Sequence, residues 1–538
     1  MTTDPAGEHD ITGADLAPDG PISVEHWLGA PALSYPRRPR TVLDVLDRAV
    51  RRWPDAVAMQ APDGSATTYA GFADLVEGAA DWLAGQGLRP GDPVAVASDN
   101  SLALAVLLFA CARAGTVMVG LNTRLAPAQW AYVLEHSGVA LALAAPAYDE
   151  GLRAAGARRI EPLEALLSRP VPWRYTHTEQ PAEDATYAVV HTSGTTGRPK
   201  ASQVVHRASV HSAISYQRLL QLDPQDRTAV LFPLYYISAM HAHVLPSMLA
   251  GASCVLLDSS APRDFVAALV RERISWAYAV PSVWQLAVRL PEMNAEQLPA
   301  LTRVGAGGAP FPARLVTALR ARLPAVRLYD VYGLSETHSP ATVLRDEEFA
   351  DHPGSVGRLL PCMEAEIRGS EGTALPADAP GELWLRGSLV TTGYAGDPAA
   401  TAAAIQDGWF DTGDIARIDP SGFVYILDRT KDMINRGGNK IFSAEVEALL
   451  REHPDIADAA VVAMSDALAG EAVAAFVVPA AGAELTPATV RGWVRDRMAD
   501  YATPRHVHLL DDLPRNPTGK ADKPLLREWA RARTEQAG

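Results

Sequence analysis

His191-Thr192-Ser193-Gly194-Thr195-Thr196-Gly197-Arg198-Pro199-Lys200 gathers two glycines, four hydroxyl side chains and two cations into ten residues. Glycines let backbone amides approach an anion closely, hydroxyls add donors, and Arg198 and Lys200 add charge. Such a stretch suits a polyphosphate. It is not the Walker loop, which needs lysine directly after its second glycine and then Ser or Thr. Taken alone, a Gly/Ser/Thr cluster is more often a polar surface turn, so the rest of the chain must decide.

The 538 residues exceed one ordinary core, which predicts a large domain and at least one smaller one. A net charge of −15 argues against nucleic acid or an anionic membrane as partner. An anionic ligand therefore needs locally gathered Arg and Lys. Cys111, Cys254 and Cys362 are far apart and form no CxxC, so neither a disulfide framework nor a zinc site is expected, and a reducing cytoplasm fits. The acidic start MTTDPAGEHD has no apolar core, so no signal peptide is expected. The apolar run 102–112 stops at Arg113, short of the ~20 residues that span a bilayer, and predicts a buried helix rather than an integral membrane segment.

Residues 1–35 are rich in Asp, Gly and Pro and are expected to be a poorly ordered tail. Thr41 can cap a helix with the apolar face Val42, Leu46, Ala49, Val50 and Trp53, ended by Pro54. Beyond it, strands at 94–97, 116–120, 253–257 and 277–280 alternate with helices at 102–112 and 265–271. That is α/β architecture with largely parallel sheets. After about residue 381 strand patterns (382–386, 422–427) predict a β-rich element closing a core of residues 36–427. A charged connection follows at 428–432. Residues 433–538 then read as a small α+β domain: helix 444–452, strands 459–464 and 472–478, helix 487–499.

Four further motifs carry candidate chemistry. Gly305-Ala306-Gly307-Gly308-Ala309-Pro310 lacks the last glycine of GxGxxG and equally suits a tight strand-to-helix turn. Asp330-Val331-Tyr332-Gly333-Leu334-Ser335-Glu336-Thr337 brings together a ring to stack a base, a hydroxyl for phosphate and a carboxylate for Mg²⁺; the plainer reading is a strand-end turn. Asp414, closing Gly408-Trp409-Phe410-Asp411-Thr412-Gly413-Asp414, can accept two hydrogen bonds from a diol, though Asp is common in hairpins. Asp428-Arg429-Thr430-Lys431-Asp432 and Pro514-Arg515-Asn516-Pro517-Thr518-Gly519-Lys520 add basic groups that alone read as solvated cations.

Together, in this order and spacing, TSGTTGRPK, YGLSE, GELWLRG, GWFDTGD, DRTKDMINRGG and PRNPTGK closely resemble the adenylate-forming superfamily. Its members include acyl-CoA synthetases, aryl-CoA ligases, beetle luciferases and peptide-synthetase adenylation domains. The resemblance runs from about residue 41 to 526. It implies ATP-dependent, Mg²⁺-dependent activation of a small-molecule carboxylic acid to acyl-AMP with pyrophosphate release, then transfer to coenzyme A. The alternative acceptors are a carrier-protein phosphopantetheine, an amine or another small nucleophile. A monomer or homodimer in the cytoplasm is expected.

By the same resemblance, Thr192, Ser193, Gly194, Thr195, Thr196, Gly197 and Lys200 cradle the β- and γ-phosphates. Glu336 holds Mg²⁺ and Ser335 meets the α-phosphate. Tyr332, beside Gly333, stacks on adenine, whose edge meets Gly308, Ala309, Pro310 and the Asp330 carboxyl. Asp414 and Arg429 hold the ribose. Lys520 bridges carboxylate and α-phosphate as charge develops, and Lys431 is the hinge. Arg436, Gly437 and Gly438 form the pantetheine channel. Tyr235, Tyr236, Ser238 and Met240, with Ala306, Gly333, Leu334 and Pro340 opposite, are expected to line the acyl pocket. No Asp stands there for an α-ammonium group, so an α-amino acid is disfavoured, and two tyrosines and a serine suit an aromatic or medium polar acid better than a long fatty chain. His241 and His243 lie beside this pocket, and substrate hydrogen bonding or core packing suits them better than a metal, which wants three or four ligands. Two departures stand out. Ala201 replaces the usual glycine after the loop lysine and is expected to stiffen the loop exit. Asn439 stands where Glu is frequent.

Overall fold

A computed structural model describes residues 11–174, 181–192, 199–437, 439–466, 469–516 and 520–535. Contacts divide the chain into two compact units. The first comprises 1–365, 384–410 and 422–424, the second 366–383, 411–421 and 425–538.

The first unit holds two large sheets. One runs Lys200–Val205, Thr186–Thr192, Val117–Gly120, Pro93–Ala97, Leu141–Ala144, Ile160–Pro162, with its first pair antiparallel and the rest parallel. The other has nine strands, parallel through Arg327–Tyr332, Arg303–Gly307, Trp276–Ala279, Arg227–Val230, Ser253–Leu256 and Val57–Gln60. Their continuous apolar runs suit strands covered by helices on both faces. Helix Val42–Arg52 starts as its sequence predicts. Thr41 Oγ1 accepts from the Asp44 amide at 3.1 Å, and Asp44 Oδ2 accepts from the Thr41 amide at 2.9 Å.

The expected disordered tail is corrected over residues 11–35. Ser23–Trp27 and Ala30–Ser34 form an antiparallel hairpin, turned through Leu28 and Gly29 at φ 52° and 77°. What holds it is not local. Glu25 pairs with Arg38 at 2.8 Å and with Arg207 at 2.9 Å, and Glu183 joins Arg38 at 2.9 Å. Residues 1–10 lie outside the described residues.

In the second unit, Ile456–Asp466 and Gly470–Pro479 pair antiparallel, and His506–Leu509 adds parallel to the latter. Alternate residues face opposite sides. Val461, Val473 and Val477 pack with Val446, Leu450, Val490 and Val494, while Val462, Ala474 and Phe476 pack with Leu526 and Ala530. The helix predicted over 487–499 ends at Arg495, and the C-terminal helix Lys523–Glu535 is an addition to the sequence reading.

Candidate active site

The polyphosphate stretch is bracketed by an antiparallel strand pair in which Lys200 stands opposite Thr192. Ser193, Gly194, Thr195, Thr196 and Gly197 lie outside the described residues. Ala201 sits within the strand, opposite His191 and 1% accessible, and its carbonyl accepts from the Ala395 amide at 2.8 Å. Extended backbone there suits alanine as well as glycine.

Glu336 rides on a short 3₁₀ turn, Ser335–Thr337, at the end of strand Arg327–Tyr332. The turn is tight enough to demand glycine before it, because a Cβ on Gly333 would fall 1.6 Å from the Ser339 carbonyl oxygen. His338 and Ser339 follow in left-handed backbone at φ 51° and 82°. Such backbone persists where the surroundings fix it. Here the His338 ring accepts from the Val205 amide at 3.1 Å and reaches the Leu389 carbonyl at 3.0 Å, while Ser212 donates to the His338 carbonyl at 2.7 Å. The buried Glu336 Oε1 accepts from the Tyr394 hydroxyl at 2.9 Å and lies 3.5 Å from Thr192 Oγ1. Lys200 Nζ stands 4.8 Å from the centroid of the same Tyr394 ring. Sequence reasoning named Thr192, Lys200 and Glu336 and missed the tyrosine between them.

Gly308, Ala309 and Pro310 are exposed just past strand Arg303–Gly307, with Gly308 at φ 76°. Gly305 and Gly307 answer a packing demand. A Cβ on Gly305 would meet Trp276 at 2.4 Å, and one on Gly307 would meet the Tyr278 hydroxyl at 2.1 Å. On the neighbouring strand Asp330 and Tyr332 share a face by their spacing. Burial pushes the Asp330 carboxyl up to about 8, so at neutral pH it carries a proton and offers both a donor and an acceptor. Ser335 is half-buried.

In the predicted acyl pocket, Tyr235 is already committed. Its Cβ side leaves room only for glycine at 120, and its hydroxyl meets Thr123 Oγ1 at 3.2 Å. The ring of Tyr236 tilts against it at 5.0 Å, and the buried Tyr236 hydroxyl has no hydrogen-bond partner among the described residues. Ser238 and Leu334 are half-buried; Met240, Ala306 and Pro340 are buried. Met240 opens a π-helical turn, Met240–Val244, that holds both histidines. His241 uses both nitrogens, on the Ile237 carbonyl at 2.7 Å and Ser209 at 2.9 Å. His243 packs beside Trp276 and Tyr278 with neither nitrogen partnered among the described residues. Burial drives the two rings down to about 4 and about 3, so both are neutral.

The second unit gathers the remaining candidates. Gly413 turns at φ 67°, and its carbonyl accepts from the Thr430 amide at 3.0 Å. This sets Asp414 against Arg429, Oδ1 to Nε 2.6 Å. Lys520 reaches solvent but is crowded by protein. Desolvation first, and then the charges of Arg429 and Lys431, push its ammonium down to about 8. Lys431 is lowered by burial, with Asp432 opposing, and Arg527 donates to its carbonyl at 3.2 Å. Arg436 donates to the Tyr501 carbonyl at 2.7 Å, and Gly437, at φ 58°, donates to the Ala469 carbonyl at 2.8 Å. Asn439 folds back onto the Arg436 carbonyl at 3.3 Å, closing the same hairpin. Gly438 lies outside the described residues.

Comparison with known proteins fits this geometry. Residues 46–395 match the model of the AMP-binding enzyme family, and residues 445–520 match that of the AMP-binding enzyme C-terminal domain. A feruloyl-CoA synthase from Amycolatopsis sp is 33% identical over 485 residues, covering 89% of this chain and 97% of that one. The crystal structure of ATP-bound MatB from Rhodopseudomonas palustris superposes with a TM-score of 0.82 at 26% identity, over 90% of this chain and 98% of that one. The o-succinylbenzoate CoA synthetase MenE from Bacillus subtilis, in complex with its acyl-adenylate intermediate, gives a TM-score of 0.80 at 28% identity, over 90% and 97%.

Proposed function

The chain belongs to the AMP-binding enzyme family and is an AMP-forming carboxylate–CoA ligase, and on that premise we propose which residues carry its two half-reactions. In the first, a carboxylate oxygen of the acid attacks the α-phosphorus of ATP, and the bond to the pyrophosphate oxygen breaks. In the second, the thiol sulfur of coenzyme A attacks the acyl carbon and AMP departs, the thiol proton passing to solvent. The acid is already a nucleophile, so the obstacle is one anion approaching another. Fixed cations and donors are the remedy.

The observation that carries this reading is the trio Glu336, Tyr394 and Lys200, a buried carboxylate and an ammonium brought to one tyrosine beside the polyphosphate stretch. Glu336 and Thr192 offer the hard oxygen donors that fit Mg²⁺, which when bound offsets phosphate charge. Residues 192–200 hold the β- and γ-phosphates, and Ser335 the α-phosphate. Tyr332 stacks on adenine, and the neutral Asp330 carboxyl meets its polar edge. Asp414 accepts from the ribose with Arg429 at its side. Lys520 meets the charge that builds as acyl-AMP forms. For the second step the 428–432 connection turns about Lys431, and the Arg436–Gly437 turn replaces Lys520 at the acyl-AMP.

The Tyr236 hydroxyl, unpartnered among the described residues, supports an aromatic or medium polar acid. Free, buried Cys111, Cys254 and Cys362 support a reducing cytoplasm, and among the described residues no helix is long and apolar enough to cross a membrane. The test is pyrophosphate release over a panel of carboxylic acids, with products identified by mass with and without coenzyme A. Acyl-CoA and AMP are expected. Acyl-AMP that persists in the presence of coenzyme A would point instead to a carrier-protein or amine acceptor.

A further inference from the structure

We propose that Tyr394 is a positioning residue for the pyrophosphate-forming step, orienting the Glu336 carboxylate through its hydroxyl and the Lys200 ammonium through its ring. The inference rests on the ligase reading above. Thr192, Lys200, Glu336 and Tyr394 all belong to the first unit, so their geometry is internal to one compact body.

The tyrosine is itself held from three sides. Its segment lies along the strand that begins at Lys200. Gln203 donates its amide to the Gly393 carbonyl at 3.0 Å, Ala395 donates to the Ala201 carbonyl at 2.8 Å, and Ser202 bridges Tyr394. Gly393, at φ 134°, packs so closely on Thr401 that a Cβ there would lie 2.4 Å from its methyl carbon. The Thr401 hydroxyl in turn accepts from the Tyr394 amide at 3.0 Å. Finally, Thr391 donates its amide to the Glu336 carbonyl at 2.8 Å, tying the backbone of the carboxylate to the segment that carries the tyrosine. Tyr394 is 7% accessible and its bond to Glu336 is buried, where a hydrogen bond to a charged acceptor is strong and directional. The ring supplies the second function. Its face attracts the Lys200 ammonium at 4.8 Å without neutralising it, as a carboxylate would, so the charge stays available to phosphate. One side chain thus sets the spacing between the carboxylate suited to Mg²⁺ and the cation suited to the leaving pyrophosphate. Phenylalanine keeps the ring and loses the hydroxyl; leucine loses both.

The test uses the full chain and calorimetric titration with ATP, in Mg²⁺ and in EDTA. Y394F is expected to weaken ATP binding about tenfold in Mg²⁺ and to leave binding in EDTA unchanged. Y394L weakens both. Thioester formation from supplied acyl-AMP and coenzyme A stays near wild type in Y394F. A cycle with E336Q guards against a merely destabilised protein: adding Y394F to E336Q has no further effect on Mg²⁺-dependent binding. Additive losses in that cycle, or a Y394F that binds ATP in Mg²⁺ as the wild type does, overturns the assignment and leaves the ligase reading intact. A wild-type protein that neither binds ATP nor releases pyrophosphate with any acid overturns both.

Discussion

Asp414 and Arg429 are joined at 2.6 Å, with the carboxylate 3% accessible and the guanidinium 44%. The buried partner governs and the exposed one assists. A buried carboxylate that accepts from ligand hydroxyls leaves their donors unpaired when lost, whereas an exposed cation is screened by water. D414N is therefore expected to weaken AMP binding about tenfold or more, and R429A about threefold or less. Calorimetric titration with AMP decides. Equal losses would mean that the ion pair, rather than Asp414, does the binding.

Lys520 supplies a pH dependence. Desolvation, reinforced by Arg429 and Lys431, brings its ammonium down to about 8. It is charged below that value and neutral above it. In its proposed role the charged form meets the developing anion, so kcat/KM for ATP–pyrophosphate exchange is expected to fall as pH rises through about 8. K520R keeps its charge and moves the break upward, whatever its absolute rate. A wild-type profile that stays level well above the break contradicts the assignment.

The N-terminal hairpin predicts an acid-sensitive stability. Arg38 and Arg207 oppose the desolvation of Glu25 and hold its carboxyl down to about 2. A depressed carboxylate adds stability that is complete above its unfolded value of 4.5 and is lost as pH falls toward about 2. E25Q is expected to cost about 2 kcal/mol at pH 7, because it leaves two buried guanidiniums short of a partner. Its urea midpoint should converge on the wild type as pH falls below 4.5. A constant gap across that range would show that charge is not the cause.

Two glycines give opposite outcomes. G333A drives a Cβ to 1.6 Å from the Ser339 carbonyl oxygen and must displace the Glu336 turn. It should lower adenylation about a hundredfold as well as stability. Gly492 has open space and lies within helix Pro487–Arg495, so G492A should add about 0.5–1 kcal/mol and leave both half-reactions unchanged. Thermal midpoints and exchange rates check both.

Legibility followed how local each cause is. The Thr41 cap and the helix it starts, the apolar strands and the glycine-rich turns were readable because their determinants lie within a few residues. The Ser23–Trp27 hairpin was not. Its turn is Leu-Gly rather than Asn-Gly, and its anchors, Arg38, Glu183 and Arg207, are up to 182 residues away. Tyr394 was hidden for the same reason, 58 residues beyond Glu336 in a stretch with no recognised chemistry. Gly393-Tyr394 beside the paired strand was the only hint. The strand that holds Ala201 is set by its pairing with His191, a register the sequence around it does not announce.

Lys520, proposed to serve acyl-AMP formation alone, separates the two half-reactions most directly. Single-turnover measurements on K520A should show acyl-AMP formation slowed about a hundredfold or more while thioester formation from supplied acyl-AMP and coenzyme A remains within about threefold of wild type. Equal loss of both steps would contradict the division of labour.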